Sequence, residues 1–171
     1  MMTAALAIAA LMAAQPAPQP QPQTQPTQPQ AGTFVTATPE TSTARPEDVA
    51  SIDSIVEALY DVISGPAGEK RDWARMRSLF ADGARLMPHG AKGLRVGSVE
   101  DYIARSGPLL EGGGFFEREI GRTTDAYADI AQVFSTYEAR KTENGPPMMR
   151  GINSIQLVRH GGRWWVVSLL W

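Results

Sequence analysis

RGINSIQLVRHGGRWWVVSLLW, residues 150–171, is the most informative stretch of the chain for its architecture. Two apolar runs, 152–158 and 164–171, flank the segment His160-Gly161-Gly162-Arg163. Glycine readily adopts the positive φ angles that a tight hairpin turn requires. The stretch therefore predicts a β-hairpin.

The predicted hairpin has two faces, and both are largely apolar. A two-residue turn places on one face Ile152, Ser154, Gln156, Val158, Trp165, Val167, Leu169 and Trp171. The opposite face then carries Asn153, Ile155, Leu157, Trp164, Val166, Ser168 and Leu170. Exposing either face to water would leave an apolar patch of the size typical of an interface. We therefore expect one face to meet helices and the other to meet a second sheet or a second subunit.

Composition limits the class of protein. The 171 residues are 43% hydrophobic, which is enough for one core of ordinary size. Sixteen Lys and Arg residues are scattered among eighteen Asp and Glu residues, for a net charge of −2, and this pattern argues against a nucleic-acid partner. The chain has no cysteine, which excludes disulfides, thiol nucleophiles and cysteine-bound metals.

The N-terminal part predicts an exported protein. Residues 4–14 form an uncharged apolar segment that is too short to span a bilayer and has the length of a signal-peptide core. We therefore expect residues 1–14 to direct the chain to the periplasm or outside the cell, with no stable membrane span in the mature form. No Lys or Arg precedes the segment, so a cytoplasmic protein with a disordered tail remains the alternative.

Residues 15–45 are predicted to be a disordered linker, and 46–171 the folded domain. The first half of the linker is almost wholly Pro and Gln, and alternating Pro favours an extended spacer. The second half is rich in Thr and Ala and shows no periodicity.

Three helices are predicted at the start of the domain. Pro46-Glu47-Asp48 is typical of a helix start, and Ser64-Gly65-Pro66 of an end. Between them, apolar residues recur at helical spacing: Val49, Ile52, Ile55, Val56, Leu59, Val62 and Ile63. A second helix is expected after the N-cap Asp72, and a third after Ser98, ending at Gly107-Pro108.

The rest of the domain carries strand signals. Short strands are expected at 84–88 and 94–96, and long ones at 115–123 and 126–141, before the hairpin. The order predicts an α+β fold in which helices cover one face of a strongly bent antiparallel sheet. Gly112-Gly113-Gly114 is expected to form a flexible loop, either a lip over a cavity or a plain connection.

Several segments together resemble the nuclear transport factor 2-like superfamily, also called SnoaL-like, and look like a bacterial branch of it. They are LFADGARL (79–86), FFEREIGR (115–122), ADIAQVFSTYEAR (128–140) and the terminal hairpin. The resemblance covers about residues 47–171. It implies a cone-like, cystatin-like sheet around the first helix, an apolar cavity open at one end, and frequently a homodimer through the outer sheet face. Because this fold hosts isomerases, dehydratases, cyclases, hydrolases and non-catalytic carriers, it does not specify an activity.

The resemblance also directs attention to acid–base residues. In ketosteroid isomerases of the superfamily, a carboxylate base follows the segment that matches 79–86, but here Met87-Pro88-His89-Gly90 contains no acid. His89 is the nearest proton-transfer group, and Tyr60 lies on the helix that supplies an oxyanion-binding tyrosine in those enzymes. The alternatives are an exposed loop histidine and a core tyrosine.

Candidate ligand contacts come from the strands and the tryptophans. If the set containing Ser135 and Tyr137 faces inward, its small residues leave room for a ligand. Glu117, Glu119 and Arg150 are the other polar candidates, and an inward Glu opposite an inward Arg would be a substrate clamp or a structural ion pair. The proposed contacts are Trp73, Ser135, Tyr137, Arg150 and Gln156.

The two histidines, at positions 89 and 160, have no nearby metal-ligand spacing, and the Gly-rich segment lacks phosphate-loop context. We therefore expect no metal and no cofactor. The first functional hypothesis is an exported domain that binds a small apolar or amphipathic ligand in its cone. The second is a lyase, isomerase or cyclase that uses His89 with Tyr60 or Glu117. The third is a structural dimer with a filled cavity.

Overall fold

A computed structural model describes residues 44–171. The helices are α1 (Pro46–Val49), α2 (Ile52–Asp61), α3 (Trp73–Leu79) and α4 (Val99–Gly113). The strands are β1 (Phe80–Met87), β2 (His89–Gly90), β3 (Gly93–Leu94), β4 (Phe116–Tyr127), β5 (Ile130–Arg140), β6 (Met149–His160) and β7 (Arg163–Leu170). Residues 1–14 and nearly all of the linker lie outside the described residues, so export remains a prediction. Between residues 44 and 171, no helix has the length and apolar character needed to cross a membrane.

Five strands form one curved sheet in the order β1-β7-β6-β5-β4. Strands β4 to β7 are antiparallel neighbours, as predicted, whereas β1 pairs with β7 in parallel. No hairpin constrains the direction of β1, because α4 and the five strands β2 to β6 separate it from β7 along the chain. The predicted α+β class is confirmed, with a mixed rather than wholly antiparallel sheet.

The terminal hairpin turns at Gly161 and Gly162, whose φ angles are +60° and +79°. The predicted assignment of β7 side chains to the two faces of the hairpin holds only up to Val166. The register shifts between Gln156 and Leu157, and this shift leaves Val167 as an extra residue in β7. Side chains beyond the bulge therefore change sides. Leu169 and Trp171 point inward and Leu170 outward, the reverse of the prediction for this end of the strand.

The core lies between α2 and the inner sheet face. Ile55 and Val56 of α2 are fully buried against the sheet, in one cluster with Ile155 and Val166. The helix predicted over 46–63 is divided in two, because Ser51 and Ser54 form a capping box that starts α2 afresh.

The third helix does not end at Gly107-Pro108 but continues to Gly113. Gly107 lies against Trp73, where an added Cβ would stand 3.3 Å from the indole, and this packing outweighs the one hydrogen bond that Pro108 removes. The glycine run is therefore no lip over a cavity. Gly114 is the C-cap, with φ +69°, and an added Cβ would lie 2.7 Å from the carbonyl oxygen of Lys141.

Candidate functional site

A cavity of about 110 Å³ lies between the helices and the inner sheet face. Most of its wall is apolar: Leu59, Ile63, Met76, Phe80, Leu86, Met149, Ile155, Leu169 and Trp171. The polar groups in the wall are Tyr60, Tyr102, Glu117, Tyr137 and Asn153. A dry protein cavity of about 150 Å³ accommodates benzene. This one is somewhat smaller, so it is suited to no more than a single small ring.

Glu117 supplies the one carboxyl group in the cavity wall. It lies near the start of β4 on the inner face, where the backbone N–H of Glu117 donates to Ser64 Oγ at 2.9 Å. Burial raises the pKa of the Glu117 side chain to about 7, and a 3.4 Å hydrogen bond from Asn153 Nδ2 opposes this only in part. The carboxyl is therefore ready to exchange a proton near neutral pH.

A hydrogen-bonded chain runs from Asn153 through Tyr60 and Ser135 to Glu119. Ser135 donates to Glu119, whose carboxylate can only accept, so the 2.6 Å bond between Tyr60 and Ser135 must be donated by the tyrosine. Asn153 Nδ2 then donates to Tyr60 at 3.1 Å, and Arg122 binds Glu119 with two nitrogens. The Tyr60 proton is thus committed to Ser135 and is not available to a ligand.

Two other tyrosine hydroxyl groups at the cavity have no hydrogen-bond partner within residues 44–171. Tyr137 is 5% exposed, and its hydroxyl lies over Gly151, where an added Cβ would be 2.5 Å away. Tyr102 meets Trp171 edge to face, at 5.8 Å between ring centroids. Burial raises the pKa of both hydroxyls, with a further contribution from Glu117, so both are neutral donors at physiological pH.

A polar groove of about 960 Å³ lies on the far side of Tyr60 and Glu117, which line both the groove and the cavity. Its charged residues are Glu47, Asp48, Asp53, Glu57, Asp61, Arg75, Glu117, Arg118, Glu119, Arg122, Arg140 and Glu143. Because Glu117 borders both spaces, its carboxyl can reach water from the groove and a guest from the cavity.

The residues proposed from the sequence are only partly brought together. Tyr60, Glu117 and Tyr137 line the cavity, and Ser135 adjoins it through the hydrogen-bonded chain. His89 is exposed and does not line the cavity, since β2 lies outside the main sheet.

The remaining three proposed contacts also lie away from the cavity. Trp73 donates from Nε1 to Glu111 at 2.9 Å and supports α4 instead. Arg150 lies on the outer sheet face, 3.4 Å from Glu138, so it forms no pair with either inward glutamate, Glu117 or Glu119. Gln156 is exposed on that same face.

Two polar residues of the cavity wall, Tyr102 and Asn153, are not among the site residues predicted from the sequence. Asn153 shares the inner face with Ile155, so the alternation of the hairpin already placed it beside the core. Tyr102 has no comparable signal, because its role depends on how α4 packs. Within residues 44–171, no group of three or more His, Asp and Glu side chains is positioned to bind a metal.

Fold and cavity together define the class: the chain has the nuclear transport factor 2-like, or cystatin-like, fold. A cystatin-like protein of unknown function from Nostoc punctiforme is 13% identical, with a TM-score of 0.53 over 70% of this chain and 85% of that one. An NTF-2 like protein of unknown function from Silicibacter pomeroyi is 21% identical, with a TM-score of 0.50 over 71% and 91%. A hexachlorocyclohexane dehydrochlorinase from Novosphingobium barchaimii is 14% identical, with a TM-score of 0.54 over 71% and 82%. No family model and no curated protein sequence matches the chain.

Proposed function

We propose that the protein binds a small, largely apolar molecule that carries a hydrogen-bond-accepting oxygen. The observation that supports this most strongly is the pair of unpartnered hydroxyls, Tyr102 and Tyr137, beside a largely apolar cavity of about 110 Å³. Each hydroxyl can donate to a guest oxygen without giving up a hydrogen bond to residues 44–171. The proposal favours the first of the three functional hypotheses over a cavity filled by the protein's own side chains.

Cyclohexanone is a suitable probe, because it is an apolar ring with one carbonyl oxygen. We expect isothermal titration calorimetry to detect its binding to the wild-type protein. Leu169→Phe should weaken binding at least about tenfold, because the larger side chain fills the cavity. The control is Leu109→Phe, the same change at an exposed site on α4 that lines neither the cavity nor the outer sheet face.

Equal binding by both phenylalanine variants would overturn the proposal. If Leu169→Phe unfolds, Met149→Trp serves the same purpose, because Met149 lines the cavity yet is 48% exposed and tolerates a larger side chain.

Acid–base catalysis by Glu117 is the second candidate function, and it is favoured by the pKa of about 7 beside the cavity. Glu117 would accept a proton from a carbon next to the ligand oxygen, while Tyr102 and Tyr137 stabilise the negative charge that develops there. We expect wild-type protein to accelerate deuterium exchange at those carbons of cyclohexanone in D₂O, as followed by NMR. Glu117→Gln should lose this acceleration while still binding the probe. Exchange at the wild-type rate in the variant would rule out Glu117 as the base.

We also propose that the outer sheet face forms a homodimer contact. Four side chains make this face apolar and are 39–47% exposed: Leu170, Ile152, Ile120 and Phe134. Phe134→Asp should therefore sediment as a monomer in analytical ultracentrifugation, whereas Leu109→Asp, at an exposed site on α4, should stay dimeric. A wild-type monomer at all concentrations would contradict this proposal.

A further inference from the structure

A second pocket, of about 400 Å³, adjoins the cavity and shares no lining residue with the groove. It is formed by the end of β1, the segment after β3 and the first half of α4, and is lined by Leu86, Pro88, Arg95, Val96, Gly97, Ser98, Asp101, Tyr102 and Arg105. Leu86 and Tyr102 line this arginine pocket and the cavity alike. The cavity and the arginine pocket therefore meet at these two side chains.

The arginine pocket has an excess of positive charge. Within residues 44–171, neither Arg95 nor Arg105 forms an ion pair, although nine ion pairs involve other arginines. The one acidic residue of the pocket, Asp101, accepts hydrogen bonds from the backbone N–H and hydroxyl of Ser98, at 2.8 and 2.7 Å. Within residues 44–171 the Asp101 carboxylate makes no direct ion pair, although hydrogen bonds from Ser98 and, to a smaller extent, the charge of Arg105 lower its pKa.

The two spaces that adjoin the cavity, the groove and the arginine pocket, differ in charge. The groove behind Glu117 is lined by eight acidic residues and four arginines, whereas the arginine pocket has two arginines and one acidic residue. The field across the cavity therefore favours a ligand whose anionic end lies on the Tyr102 side. The unpartnered Tyr102 hydroxyl is a neutral donor at the same place.

We infer, on the basis of the proposed function, that the arginine pocket binds the carboxylate of a small amphipathic acid whose apolar ring occupies the cavity. Paired guanidinium groups suit a carboxylate, since each offers two parallel N–H donors. A monoanion matches the pocket's excess of one positive charge. The substrate class of the site is therefore a small alicyclic or aromatic carboxylic acid.

The test compares benzoate with benzamide, which has nearly the same shape but no charge. Calorimetry at about pH 6 keeps Glu117 largely neutral while benzoate remains ionised. We expect wild-type protein to bind benzoate about tenfold more tightly than benzamide, and this preference should shrink at high salt. The double variant Arg95→Gln/Arg105→Gln should bind the two probes about equally, because it removes the positive charge that distinguishes them. The control Arg159→Gln, an exposed arginine of β6, should keep the wild-type preference.

The outcomes separate this inference from the proposal on which it rests. Binding of benzamide and cyclohexanone without any preference for benzoate would overturn the anion site and leave the cavity proposal standing. A preference that survives in the double variant would do the same. Failure of all three probes to bind would overturn both.

Discussion

The wild-type protein is expected to lose stability as the pH rises from about 4.5 to about 7, and Glu117→Gln is expected to abolish this loss. Burial raises the pKa of Glu117, so over this range the folded state keeps a proton that the unfolded state releases. Stability is therefore greatest below the unfolded pKa and falls as the pH passes through the folded one. For a half-buried carboxyl, we expect a loss of about 1–3 kcal/mol.

Urea unfolding at about pH 5 and about pH 8 measures this effect. Arginine partners lower the pKa values of Asp48 and Glu138. These two carboxylates therefore lose their contribution to stability only below both of the pH values used here. Glutamine remains neutral and can still accept from Asn153, so the variant should be more stable than wild type at the higher pH. Glu57→Gln, at an exposed carboxyl of α2, is the control and should behave as wild type. The same pH dependence in wild type and Glu117→Gln would show that Glu117 is not its source.

Arg71→Met should destabilise the domain by about 3–5 kcal/mol. Arg71 is 6% exposed, and its guanidinium donates to the carbonyl oxygens of Ile63, Gly65, Glu69 and Leu110, at 2.6–3.0 Å. Methionine fills similar space but leaves these buried acceptors without a donor. The carbonyls belong to the chain after α2 and to α4, so the arginine joins the two helices that flank the cavity.

Chemical denaturation of three variants checks this prediction. Arg71→Lys should recover only part of the stability, because an ammonium group cannot span four carbonyls as a planar guanidinium does. Arg77→Met, which removes an exposed pair with Glu100, should cost less than about 1 kcal/mol. If Arg71→Met proved no more harmful than Arg77→Met, the guanidinium would not be holding these segments together.

Much of the fold could be predicted from local patterns. The two glycines of the hairpin turn and the apolar spacing of α2 each have a direct physical meaning in the sequence. The bulge at Val167 does not, because an extra residue in one strand is decided by how the sheet curves over the core. A prediction made without this bulge places Leu169 and Trp171 on the wrong face of the sheet, although both line the cavity.

The site was less predictable than the fold. Tyr60, Glu117 and Tyr137 could be proposed because helical spacing, strand alternation and the resemblance each directed attention to inward positions. His89 was proposed because it follows β1 in sequence, but it lies in the β2–β3 hairpin, where its backbone N–H donates to Trp171 at 2.7 Å and its side chain is exposed. The place of Tyr102 in the cavity wall depends on contacts between distant segments, and so does the direction of the hydrogen bonds through Tyr60. No periodicity in the sequence encodes such contacts.

The pKa of Glu117, measured by NMR of its ¹³C-labelled carboxyl carbon with and without cyclohexanone, tests the central claim most directly. We expect a value of about 7 in the free protein. Saturating probe should raise it further in wild type and in Leu109→Phe, because the guest displaces water next to the carboxyl. A pKa near 4.5 that the probe leaves unchanged would contradict a ligand site beside Glu117.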